Sequence, residues 1–224
     1  MSPASEWDMG IGGLIAGGSR LHVYSSHATG EVRGGSSLIG GLVGYLSGYL
    51  NPGNYHELGS TIQNSYASGK VTGDAGSSEV GGLIGRYDSG SRYMVFSNNF
   101  ATGDVIGGHK VGGLAGEFIN SDFRGIYELL TEPMLAVNLY ASGNVTSILQ
   151  ERNNGQYGLG GLIGNLGSGI VLRDSQASGT VRADGPITSL GGLIGMNSPG
   201  SFLNNCLANG DVSGPNGTGD PNGR

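Results

Sequence analysis

Ile39-Gly40-Gly41-Leu42-Val43-Gly44 decides how this chain folds, because the chain writes that stretch repeatedly. The pattern is a hydrophobic residue followed by Gly-Gly-Leu-x-Gly. It returns at Val80 to Gly85, Val111 to Gly116, Leu159 to Gly164 and Leu190 to Gly195, and Ile11-Gly12-Gly13-Leu14-Ile15-Ala16 is an imperfect first copy. Each copy is followed by a second signature, Ala-[Ser/Thr/Asn]-Gly-x-Val, at Ala28 to Val32, Ala67 to Val71, Ala101 to Val105, Ala141 to Val145, Ala177 to Val181 and Ala208 to Val212. Repetition at a fixed period outranks every other sequence signal for the fold. Spacings between Leu14, Leu42, Leu83, Leu114, Leu162 and Leu193 are 28, 41, 31, 48 and 31 residues. The unit is therefore about 31 residues, and longer intervals carry loops at Tyr45 to Ser60, Glu117 to Leu135 and Ser147 to Gly158.

Aligning the units on their Ala exposes columns. Five residues earlier stand Val23, Ile62, Phe96, Ala136, Leu172 and Leu203, all apolar. Three earlier stand Ser25, Asn64, Asn98, Asn138, Asp174 and Asn205, and two earlier Ser26, Ser65, Asn99, Leu139, Ser175 and Cys206. An Asn once per unit suits a strand corner. Stacked strands lie about 4.8 Å apart, so each amide can donate to the next, and Asn tolerates turn backbone. The signatures predict an all-β chain: a right-handed parallel β-solenoid of about six coils, with three short strands per coil. One strand is expected at Gly-Leu-x-Gly, one ending at the Asn column, and one through Ala-x-Gly-x-Val. The alternative is an antiparallel propeller or sandwich of repeated hairpins, although propeller blades run about 40–50 residues and a 31-residue interval is tight for one. The expected organisation is a lead-in at 1–10 with Trp7 covering the first coil, one solenoid at 11–214 and a polar tail at 215–224. Gly125 to Glu132 reads as a short helix.

Composition narrows the function. Glycine supplies 47 of 224 residues, about three times its usual share, without the G-X-Y period of collagen. The formal charge of -6 and the scattered Lys and Arg argue against a nucleic-acid surface. No apolar run reaches the length of roughly 18 residues that a membrane helix needs, so no membrane insertion is expected. Met1-Ser2-Pro3-Ala4 opens no secretory signal. The expectation is a fragment of a longer secreted chain. The lone Cys206 excludes an internal disulfide and reads as a buried small hydrophobe.

These repeats resemble the GLUG family, named for Gly-Leu-any-Gly. Gly41-Leu42-Val43-Gly44, Gly82 to Gly85, Gly113 to Gly116, Gly161 to Gly164 and Gly192 to Gly195 carry that pattern. The companion half, Asn-x-Tyr-Ala-[Ser/Thr]-Gly-x-Val, is matched at Asn64 to Val71 and Asn138 to Val145. Ala16 replaces the last glycine in the first copy. The resemblance implies extracellular or cell-surface bacterial proteins of adhesin type, with the repeats as stalk or binding modules.

The sequence offers little catalytic chemistry. His56-Glu57-Leu58-Gly59-Ser60 lacks the second histidine of a zinc-binding helix, and His22, His27, His56 and His109 have no ligand spacing. No cofactor or metal is expected. In the column Glu31, Lys70, Asp104, Asn144, Thr180 and Asp211, Glu31 and Asp104 are the nearest thing to a glycosidase pair, with Lys70 between them. The better candidate is the column preceding Ala: His27, Tyr66, Phe100, Tyr140, Gln176 and Leu207. Tyr66, Phe100 and Tyr140 are the expected binding residues, because stacked exposed rings accept sugar faces or partner surfaces. A covering loop or an inward orientation would remove that site. The expected function is a non-enzymatic surface module meeting a surface glycan or protein ligand. Alternatives are a filament subunit that self-associates end to end, and the accessory or catalytic part of a polysaccharide-degrading enzyme.

Overall fold

The computed structural model describes residues 10–35, 37–48, 59–89, 95–121, 134–150, 157–187 and 189–215. Every strand pairing among them is parallel, and the strands run from Ile11 to Ser213. Four sheets result, three of six strands and one of ten. The chain visits the sheets in turn, so each circuit is one coil of a parallel β-solenoid. The register is the sequence alignment itself. Ile39 pairs with Ile11 and Val80, Val111 with Leu159, Ala101 with Ala67 and Ala141, and Val71 with Val32 and Val105.

Each signature straddles a corner instead of lying in one strand, so a coil has four walls where three were expected. In the second coil, Ile39–Gly40 belongs to the first sheet and Val43–Ser47 to the second. Thr61–Gln63 and Tyr66–Ala67 lie in the third, on either side of the Asn corner, and Val71–Gly73 lies in the fourth. Two of the expected loops also begin later than their sequence suggests. Tyr45 sits inside Val43–Ser47 and Glu117 inside Ala115–Ile119. Trp7, Gly125 to Glu132 and the tail beyond residue 215 lie outside the described residues.

The glycines have distinct jobs. A Cβ on Gly40 would stand 1.9 Å from the Val43 carbonyl oxygen and 2.7 Å from the Gly85 nitrogen, so side chains there would force the first and second sheets apart. The middle glycine faces the opposite signature: a Cβ on Gly41 would stand 2.9 Å from the Ala67 Cβ and 2.1 Å from the Gly82 carbonyl oxygen. Gly82 meets Ala101 in the same way. Gly-Gly and Ala thus occur together because they touch across the coil. This close approach narrows the cross-section into a waist, and the core falls into two groups. Leu42, Leu83, Leu114 and Leu162 lie in the larger group with Ile62, Phe96, Leu172 and the Ala column. Val32, Val71, Val105, Val145 and Val181 lie in the other with Ile39, Val80, Val111 and Leu159. Full burial of one such leucine or valine contributes about 1.5–3 kcal/mol.

The Asn corners are left-handed. Asn64, Asn98, Asn138 and Asn205 have φ of 53, 56, 55 and 51°. Asn is the least costly residue there after Gly, because its short polar side chain bonds locally. Asn98 Nδ2 donates to Asn64 Oδ1 at 3.0 Å, and Asn138 Nδ2 to Asn98 Oδ1 at 2.8 Å. Asp174 has no donor to continue the run, but it accepts from Asn205 at 2.6 Å. The next column turns inward. Ser65, Asn99, Leu139 and Ser175 are buried, and the Asn99 side chain joins the Ser65 nitrogen to the Ile62 carbonyl. Cys206, in that column, is partly buried and packs against the larger core group.

Candidate functional site

The aromatic column faces outward. From Tyr66 to Gln176 each of its members follows a buried residue and precedes a buried Ala, so alternation along the strand turns it to solvent. Phe100 is 38% exposed, while Tyr66 and Tyr140 are half-buried against their neighbours. The rings of His27 and Tyr66 stack with centroids 4.9 Å apart and planes 4° from parallel, and Tyr66 and Phe100 stack at 4.7 Å and 3°. That spacing is the inter-coil distance, so the sheet register sets the stack. Tyr140 pairs in register with Phe100, and its hydroxyl lies 3.2 Å from Ser178 Oγ. Gln176 and then Leu207 continue the column. The Asn ladder borders the rings on one side. The exposed hydroxyls of Ser68, Thr102 and Ser178 border them on the other.

The acidic pair singled out in the sequence has structural work. The Glu31 carboxylate bonds the Arg33 guanidinium at 3.1 Å, and Asp104 Oδ1 accepts from the Asn144 nitrogen at 2.8 Å. Among the described residues, no group of three or more His, Cys, Asp or Glu is placed to hold a metal ion.

A second polar cluster escaped the sequence reading. It lies on the outer side of the Gly-Gly corner, where the first and second sheets fold toward each other. Ile84 and Tyr87 are both in the core, so Gly85 and Arg86 between them turn away from it, as at a bulge. Arg86 is in register with Tyr45 and Glu117, and Glu117 with Asn165. From the first sheet come Glu79 and Lys110, both in left-handed backbone at φ 58 and 50°. The Lys110 ammonium bonds Glu79 at 3.0 Å and Glu117 at 2.8 Å. Arg86 lies 3.7 Å from Glu79 and 3.5 Å from Glu117, with its guanidinium 5.9 Å from the Tyr45 ring centroid. Both carboxylates are buried.

The electrostatics follow from that burial. Desolvation, then the Glu117 charge, hold the Glu79 carboxyl above its ordinary value despite Lys110 and Arg86. Burial works against the Lys110 charge, but Glu117 and Glu79 more than offset it and raise its pKa. Burial and the Lys110 charge push His109 down, which keeps its ring neutral near pH 7. An alignment on the last motif glycine would have shown this column, because Tyr45, Arg86, Glu117, Asn165 and Met196 each follow that glycine directly.

The GLUG motif matches residues 35–72, which hold one complete copy of both signatures. The chain carries the GLUG motif, and both of its signatures recur along the sequence. Its repeats are 34% identical over 179 residues to Halomucin of Haloquadratum walsbyi (strain DSM 16790 / HBSQ001). That similarity covers 78% of this chain and 2% of the relative, so the chain spans a small fraction of that protein's length. No solved structure matches the chain.

Proposed function

We propose that this chain is a non-enzymatic module of an extracellular or cell-surface protein, giving reach and binding carbohydrate along its aromatic column. The outward stack of His27, Tyr66 and Phe100, extended in register to Tyr140, carries the reading. Aromatic faces bind the apolar faces of sugar rings, and the flanking Asn and hydroxyl columns supply polar partners for their edges. The column repeats at every coil, as a polymeric glycan does along its length. Engagement of the Glu31 and Asp104 carboxylates supports binding over cleavage. Similarity to Halomucin and the motif support a place in a long surface repeat chain.

A glycan array comparing wild type with a Tyr66→Ala/Tyr140→Ala double variant tests the reading. Binding that the double variant loses supports it. Equal binding by both proteins removes the column as the site.

A second reading, self-association end to end, is favoured by one observation. Leu14 in the first coil and Leu203 and Val212 in the sixth are about half exposed, and they occupy columns that are otherwise mostly buried. Each end also leaves the edge strands of its sheets unpaired among the described residues, a template for further coils. Sedimentation velocity over a dilution series distinguishes a stacking chain from a monomer.

A further inference from the structure

Outside the Gly-Gly corner the two converging sheets enclose a cleft of about 590 Å³, lined by Ser78, His109, Lys110, Glu117, Tyr157 and Asn165, with Met196 and Ser198 at its far end. That volume lies within the range of about 300–1,000 Å³ typical of small-molecule sites. The cleft stands across the waist from the aromatic column and draws on four successive coils. We propose that it is a second binding site, specific for the end or a short segment of a neutral saccharide.

Three features of the cleft point to a ligand. First, Glu79 and Lys110 occupy left-handed backbone where Gly or Asn would cost less, a position held by Leu38 one coil earlier. Non-glycine residues held there carry backbone strain. Glu and Lys at such positions bring charge to the mouth of the corner at that cost. Second, buried His109 Nδ1 and Asn165 Oδ1 have no hydrogen-bond partner, so the wall offers unfulfilled polar sites. Third, the lining alternates two kinds of surface. The Tyr157 ring, which meets His109 edge-on at 4.7 Å, joins Ile119, Leu166 and Met196 as apolar ground, while Ser78, Lys110, Glu117, Asn165 and Ser198 supply fixed donors and acceptors.

Charge selects the ligand class. Glu79 and Glu117 are matched by Lys110 and Arg86, and His109 is held neutral. The cluster is balanced, so it recruits neither an anion nor a cation. It presents oriented polar groups beside an apolar face, which suits a pyranose ring: hydroxyls at the edge, C–H bonds on the face. Lys110 bridges the two carboxylates through one oxygen of each. The saccharide class of ligand is shared with the proposed function, but the residues are separate.

The test is an NMR titration of the whole chain with maltohexaose, cellohexaose and chitohexaose, with glucuronate as a charged control. The expected result is saturable amide shifts at Lys110, Glu117, Asn165 and Gly167 with at least one neutral oligosaccharide. Asn165→Ala and the blocking variant Ser198→Phe should each weaken that binding about tenfold, as for loss of one or two hydrogen bonds or of access. Tyr66→Ala/Tyr140→Ala should leave it unchanged. Shifts confined to the Tyr66 and Phe100 neighbourhood would overturn the cleft while sparing the aromatic column. No saturable shift at the cleft with any neutral probe, or preference for glucuronate, would also overturn it.

Discussion

Gly30 and Gly69 hold the same position in successive repeats, yet replacing each by Ala should have opposite consequences. A Cβ on Gly69 would stand 1.9 Å from the Gly30 carbonyl oxygen and 2.5 Å from its carbon. A Cβ on Gly30 meets nothing within 4 Å. Relief of the Gly69 contact to an ordinary separation requires a shift of roughly 1.5 Å, and the obstacle is backbone locked in a parallel ladder, not a side chain that can rotate. Overpacking typically costs about 1–3 kcal/mol, so a backbone collision belongs at or above the top of that range: about 3 kcal/mol for Gly69→Ala. Gly30→Ala has no collision and reduces the freedom of the unfolded chain, so its expected effect lies between zero and a gain of about 1 kcal/mol. Urea unfolding followed by far-UV circular dichroism measures both. Equal midpoints for the two variants would refute the claim that the glycines are there for coil-to-coil contact.

The corner ladder gives a graded test. Asn98→Ala loses both ladder hydrogen bonds and strains a left-handed residue, for about 2–4 kcal/mol, whereas Asn98→Gly keeps the backbone comfortable and should lose about half of that in the same urea assay. The Glu79 carboxyl is held above its ordinary 4.5 by burial first and Glu117 second. Its folded form therefore holds a proton more tightly than its unfolded form. That contribution is full below pH 4.5 and is lost as pH rises through the raised folded value. Urea midpoints measured from acid to neutral pH should show this decline in wild type and a smaller one in Glu79→Gln.

The stack was legible because each coil repeats the demands of the one before: Leu inward, Asn at a left-handed corner, Val inward again. Walls were harder to count. Alternating burial through Ala67, Ser68, Gly69, Lys70 and Val71 is the same for a straight strand as for a chain that turns, and only the pairing partners show the turn. The aromatic column was visible as a column, but its direction depended on the Asn corner, whose left-handed backbone resets which residues face inward. The cleft was hidden for another reason. Lys110 and Glu117 meet across a re-entrant bend, and Glu79 arrives from the coil before, so no single strand or helix period links them.

The corners differ in what they tolerate. Within each repeat the intervals across Gly-Gly-Leu-x-Gly and from the Asn column to Val never change, whereas the chain between Ser47 and Thr61, Ile119 and Met134, or Ser147 and Gly158 varies freely in length. The first two of these stretches leave the second sheet for the third, and the last leaves the fourth for the first. The cleft is built from the first and second sheets, whose strands these stretches leave or enter. A descendant of this chain can lengthen or replace these stretches without moving a single rung of the stack. The architecture thereby separates what must be inherited unchanged from what is free to diversify.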